Sequence, residues 1–126
     1  MIVGTGIDLC EVERIEQAIA APHGARFCER VFTAGEIAYA ESKANRAERY
    51  AARFAAKEAG MKALGTGWQN GLGWHDLEVL NLDSGRPTLR FHGKAAEIAA
   101  GLGVRNVSLS LTHTRRSAMA LVILES

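Results

Sequence analysis

The segment Arg46–Leu64 constrains the fold more than any other part of this chain. It is rich in alanine, contains no proline and runs straight into Gly65. Alanine is the best helix former, and a glycine just past the last turn is the common stop. The segment is therefore predicted as one long helix, with Asn45 as its N-cap. Gly60 inside it costs roughly 1 kcal/mol against alanine, which asks for a packing explanation, either a close neighbouring element or a bound group. Glu58 and Lys62 are four apart and share a helix face. One is a hard oxygen ligand and the other a point cation suited to phosphate. Gly65 and Gly67 beyond them let backbone approach a ligand closely. The same residues also describe a surface helix with an ordinary Glu–Lys pair and a glycine cap.

Around this helix the pattern is mixed. Ile2–Leu9 reads as a buried strand. Glu11–Ala21 has helical periodicity, with Val12, Ile15 and Ile19 inward and Glu13, Arg14, Glu16 and Gln17 outward, closed by Pro22 and Gly24. A helical turn follows over Ala25–Phe32. Thr33-Ala-Gly-Glu36 is a capping box for a helix reaching Lys43. Trp68–Trp74 is a glycine-rich loop. Leu77–Leu82 and Thr88–Phe91 form a hairpin, Lys94–Ala100 a short helix, and Val107–Leu111 an alternating strand. Thr112–Ser117 turns the chain. Ala118–Leu124, apolar on both faces, is the last strand and central in its sheet. The prediction is one α+β domain over residues 1–126: an antiparallel sheet, including the first strand, packed on the long helix.

Bulk properties exclude several classes. With 126 residues and a net charge of +1, the chain has no overall bias toward nucleic acid or membrane. No apolar run approaches the roughly 20 residues that span a bilayer, and the N-terminus lacks a signal-peptide pattern, so a cytoplasmic protein is expected. Cys10 and Cys28 are read as a reduced pair. The four histidines show no ligand spacing for zinc. Arg46, Arg49, Arg53 and Lys57 form a basic stripe, either a solvated face or an anion site. It lacks the interleaved aromatics of a single-strand binder.

Two further residues have both a plain and a chemical reading. Asp8 ends an apolar strand and is a turn or cap aspartate or a metal ligand; with Glu58 it would supply two carboxylates for magnesium. His113, at the end of an alternating strand, is a hydrogen-bonded strand-end histidine, a phosphate donor or a proton shuttle.

Three segments then carry a resemblance: Gly6-Ile-Asp8 with Arg14 six residues on; Arg53-Phe-Ala-Ala-Lys-Glu58-Ala with Lys62-Ala-Leu-Gly-Thr-Gly67; and Val107-Ser-Leu-Ser-Leu-Thr-His113-Thr114. Together, and in this order, they resemble the holo-acyl-carrier-protein synthases, the small bacterial 4′-phosphopantetheinyl transferases. The resemblance implies transfer of 4′-phosphopantetheine from coenzyme A to a serine of apo-acyl carrier protein, releasing adenosine 3′,5′-bisphosphate, in support of fatty acid biosynthesis. It implies Asp8, Glu58 and Lys62 as catalytic residues. Asp8 and Glu58 would hold Mg²⁺ on the pyrophosphate and Lys62 would neutralise phosphate, while Glu58, directly or through a water, helps deprotonate the serine. It implies that Arg53, Lys62, Gly65, Thr66, Gly67, His113 and Thr114 contact coenzyme A. Arg14, Arg26 and Phe27 would dock the acidic carrier protein, although Glu11, Glu13 and Glu16 make that region less basic than such a partner favours. It also implies a homotrimer with sites at subunit interfaces. The alternative is a non-catalytic module that binds coenzyme A or a nucleotide, which needs no metal-chelating pair.

Overall fold

The small side chains that favour a helix over Arg46–Leu64 also decide what can lie against it. In the computed structural model, which describes residues 1–69 and 71–126, β1 (Ile2–Glu11), α1 (Val12–Ala20), α2 (Gly24–Val31), α3 (Ala34–Glu41) and α4 (Arg46–Leu64) come first. β2 (Leu77–Asn81), β3 (Pro87–Phe91), α5 (Gly93–Gly101), β4 (Asn106–His113) and β5 (Ser117–Glu125) follow. The expected loop Trp68–Trp74 includes Asn70, which lies outside the described residues; Trp74 opens a 3₁₀ turn through Asp76.

α4 is the hub. Ala51, Ala55, Ala56 and Ala59 on it are wholly buried, and with no long side chains to hold neighbours away, β1 comes down to backbone contact. A Cβ placed on Gly6 would collide with the carbonyl oxygen of Ala59, and one on Gly4 with that of Ala63. Gly60 has the packing reason that the sequence asks for: a Cβ there would sit 2.6 Å from Leu89 Cδ2 and 2.7 Å from Leu77 Cδ2, on the β2–β3 hairpin. Gly65 closes the helix in the left-handed conformation at φ 80°, where a glycine pays no Cβ penalty.

The antiparallel α+β architecture is as predicted, and the pairing divides it into two sheets, β1-β5-β4 and β2-β3. β5 is central in the first, with Gly6 opposite Val122 and Val122 opposite Leu109. Only one of its faces is buried: Ala118, Ala120, Val122 and Leu124 face α4, while Met119 and Leu121 stay exposed. Several boundaries differ from expectation, and β1, expected as a buried strand ending at Leu9, runs to Glu11 with Ile2, Ile7 and Leu9 exposed. α3 stops at Glu41, before Lys43, and β4 runs through Thr112 to His113. Asn45 precedes α4, yet its Oδ1 accepts from Arg49 Nε at 3.3 Å instead of from a helix N–H. The Thr33–Glu36 capping box forms as predicted.

The basic stripe is not a solvated face along its length. It starts at exposed Arg46 and ends in the core, with Lys57 fully buried and Arg53 nearly so. Lys57 Nζ meets Glu36 Oε1 at 2.8 Å and donates to the carbonyls of Leu77 at 2.7 Å and Trp74 at 2.9 Å. All three ammonium protons are thereby used. Glu36 Oε2 accepts from the Val79 N–H at 2.7 Å. This satisfied pair ties α3, α4 and β2 together. No helix among the described residues is long and apolar enough to cross a membrane.

Two predictions follow from the packing. Gly6→Ala pushes a methyl into fixed backbone and should cost more than about 3 kcal/mol. Gly60→Ala meets movable leucine ends and gains helix propensity, so its net cost should stay near 1 kcal/mol. Equal losses in urea unfolding would contradict this account. Lys57→Met leaves Glu36 buried without a counter-charge and should cost about 3–5 kcal/mol. Adding Glu36→Gln to it should recover most of that stability in the same measurement.

Candidate active site

β1 carries Asp8 across α4 because the two glycines before it let the strand lie flat on the helix. There Lys62 Nζ donates to Asp8 Oδ1 at 3.0 Å and to the Ile7 carbonyl at 3.1 Å. Lys62 thus bonds to the strand, not to Glu58 one turn back. Its side chain is 48% exposed, so the pair is screened by solvent and adds little stability. What it contributes is placement of a cation beside a carboxylate.

Glu58 is half-buried on the same face. Burial pushes its carboxyl above the usual range; a hydrogen bond from Trp68 Nε1 to Oε1, at 3.3 Å, pulls it down; the charge of Asp8 pushes it up again. Asp8 and Glu58 therefore share one electrostatic neighbourhood. Two carboxylates so placed are stabilised by a cation between them, and their hard oxygens suit a divalent ion of the magnesium type. Among the described residues no three His, Cys, Asp or Glu side chains group closely enough to hold a metal by themselves. Cys10, two residues beyond Asp8, is buried, and burial pushes its thiol up to about 11.

Arg53 and His113 lie elsewhere. Five residues separate Arg53 from Glu58, which on a helix turns the two side chains roughly 140° apart. His113 is on β4 and Asp8 on β1, the two outer strands of the sheet, with β5 between them. Arg53, 4% exposed, lies over the Tyr39 ring with its guanidinium carbon 3.8 Å from the centroid. Its Nε is buried and has no partner among the described residues. Arg53 lines a cavity of about 190 Å³ together with Tyr39, Arg49, Asn81, Pro87 and His113. His113 Nδ1 is 3.0 Å from Glu48 Oε1. The chain thus carries two clusters, candidate half-sites, on different sides of α4: Asp8 and Glu58 with Lys62, and a cavity lined by Arg49, Arg53 and His113.

The other expected residues fall around these. Gly65, Thr66 and Gly67 leave α4 just past Lys62, with Thr66 Oγ1 donating to the Gly67 carbonyl at 3.1 Å. Thr114 Oγ1 accepts from the N–H groups of Arg116 and Ser117, each at 3.2 Å, and so shapes the β4–β5 turn. Arg14 and Arg26 are exposed, and Phe27 packs edge-on against Phe32. α1, which carries Arg14, packs against α4. Sequence reasoning missed Trp68 as the hydrogen-bond donor to Glu58. Its loop reads only as glycine-rich, and nothing in a spacing of ten residues announces the bond.

Residues 4–121 match the 4′-phosphopantetheinyl transferase superfamily. A holo-acyl-carrier-protein synthase of Solibacter usitatus is 61% identical over 126 residues, covering all of both chains. The crystal structure of the holo-acyl-carrier-protein synthase of Neisseria meningitidis superposes with a TM-score of 0.88 at 30% identity, again over all of both chains. The synthase of Bacillus anthracis, solved in complex with CoA (3′,5′-ADP), gives a TM-score of 0.80 at 38% identity, over 100% of this chain and 98% of that one. With the motifs, the fold and these full-length likenesses in agreement, the chain belongs to the 4′-phosphopantetheinyl transferase superfamily, among the holo-acyl-carrier-protein synthases.

Proposed function

We propose that this enzyme, a single domain over residues 1–126, moves the 4′-phosphopantetheine arm of coenzyme A onto a serine of apo-acyl carrier protein in an Mg²⁺-dependent reaction. The observation that carries this reading is the contact of Lys62 Nζ with Asp8 Oδ1 where β1 crosses α4, with Glu58 one turn back on the same helix face. The relative solved with coenzyme A supports the choice of co-substrate. Asp8 and Glu58 would hold Mg²⁺, with water and pyrophosphate oxygens completing its shell; when bound, it neutralises charge on the pyrophosphate. Lys62 places a further positive charge beside the reacting phosphate. Glu58, directly or through a water, would help take the proton of the serine hydroxyl. The serine oxygen bonds to the phosphorus that bears pantetheine, the pyrophosphate P–O bond breaks, and adenosine 3′,5′-bisphosphate leaves. Positioning and charge neutralisation suffice for such a transfer. Arg53, His113 and Thr114 would bind the adenosine phosphates, and Gly65-Thr66-Gly67 the pyrophosphate side. The unsatisfied Arg53 Nε beside the cavity supports an anion there. Arg14, Arg26 and Phe27 would receive the acidic carrier protein.

The candidate half-sites lie on different sides of α4, which favours a site completed by a second copy of the chain. The outer face of β1-β5-β4 also leaves Ile7, Leu9, Met119 and Leu121 exposed, at 57%, 62%, 38% and 39%. An apolar sheet face of this kind marks an association surface, and we assign it to a homotrimer. The reaction class fits fatty acid biosynthesis in the cytoplasm.

Incubation with coenzyme A, Mg²⁺ and an apo carrier protein should add the mass of one phosphopantetheine arm to the carrier. Coenzyme A binding with no mass gain across several carriers would favour the non-catalytic module instead. Glu58→Gln should lower turnover by about a hundredfold or more; near-normal turnover would remove Glu58 from its assigned role. Sedimentation should show a trimer for the native chain. Leu121→Glu should give a folded monomer without transferase activity, and a variant that remains trimeric would remove the sheet face from the interface.

A further inference from the structure

Among the described residues, the Glu58 carboxylate has one side-chain hydrogen-bond partner, the indole N–H of Trp68, at 3.3 Å from Oε1. That indole is held in place. Its ring stacks on Trp74 with centroids 4.0 Å apart and planes 30° apart. Trp74 stacks in turn on Phe54, at 5.1 Å and 30°. Phe54 stands four residues before Glu58 on α4, on the same face. The aromatic ladder therefore starts and ends on one helix, and reaches Glu58 from a ring whose position that helix sets. The far end is anchored as well, because the Trp74 carbonyl accepts from the buried Lys57 ammonium at 2.9 Å.

An indole N–H is a donor only. It can hold a carboxylate oxygen but cannot take a cation from it. A glutamate has three side-chain torsions to order before it can act as a ligand, and donors behind a ligand are a general means of orienting it. We propose that Trp68 is a positioning residue for the metal site, holding one oxygen of Glu58 so that the carboxylate is preset toward a divalent cation shared with Asp8. This inference rests on Glu58 and Asp8 being the cation pair. It assigns to the loop after α4 a role beyond phosphate contact: it sets the orientation of a ligand carried by the helix.

The test uses the intact protein with coenzyme A and reads Mn²⁺ binding by electron paramagnetic resonance, with thermal melts alongside. Trp68→Phe keeps a ring to stack on Trp74 and removes the N–H. Trp68→Leu removes both. If the N–H orients Glu58, both variants should bind Mn²⁺ about tenfold more weakly than the native chain, although the leucine variant alone melts much lower. Both should lose kcat with little change in KM for the carrier protein. Native affinity in Trp68→Phe, or a loss of affinity that tracks the loss of melting temperature, would make Trp68 a packing residue and overturn the proposal. Glu58→Gln separates this failure from failure of the reading beneath it. If Glu58→Gln and the native chain bind Mn²⁺ equally, Glu58 is not a ligand and both inferences fall.

Discussion

Backbone contact between β1 and α4, with Gly4 and Gly6 against the carbonyls of Ala63 and Ala59, sets the position of Asp8 and through it the geometry of the charged site. A strand held off by side chains would carry Asp8 out of reach of Lys62, whose ammonium now lies 3.0 Å from it. The contact requires small residues on both partners, which explains a helix hub built from alanine. The same scarcity of side chains lets the β2–β3 hairpin settle on Gly60 from another direction.

Charge is distributed around this hub in two ways. Lys57 and Glu36 are fully buried with their hydrogen-bonding groups satisfied, and they join α3, α4 and β2. Asp8, Glu58 and Lys62 are left partly in water. Burial and the charge of Asp8 push the Glu58 carboxyl upward, and the Trp68 N–H pulls it down. Arg53 is the intermediate case: nearly buried, stacked on Tyr39, and short of one hydrogen-bond acceptor. A buried donor without an acceptor costs free energy, and an anion in the adjoining cavity would recover it.

The sheet β1-β5-β4 separates these groups as well as supporting them. Its inner face packs on α4, with Asp8 and His113 on opposite outer strands. Its outer face presents four large apolar side chains to solvent.

Much of this was legible in the residues. The alanine run between Asn45 and Gly65, the Thr33–Glu36 capping box and the alternation at Val107–Leu111 each rest on local spacing, and each forms where the sequence places it. The three motifs also named the family, because each holds its residues in a short stretch of chain. What local spacing cannot carry is direction across the fold. It paired Lys62 with Glu58, whereas the approach of β1 gives Lys62 to Asp8. It allowed a solvated stripe through Lys57, whereas α3 and β2 close over that residue. It gave β5 two equal apolar faces, although only one is covered within the chain. It offered no sign that Trp68 reaches Glu58, because a ladder of three rings is built from loop and helix together. Helix, strand and turn preferences act over a few residues, so most elements and the chemistry they bring can be read from local spacing. Which charges pair and which are buried depends on contacts between segments tens of residues apart, and it emerges in the folded chain alone.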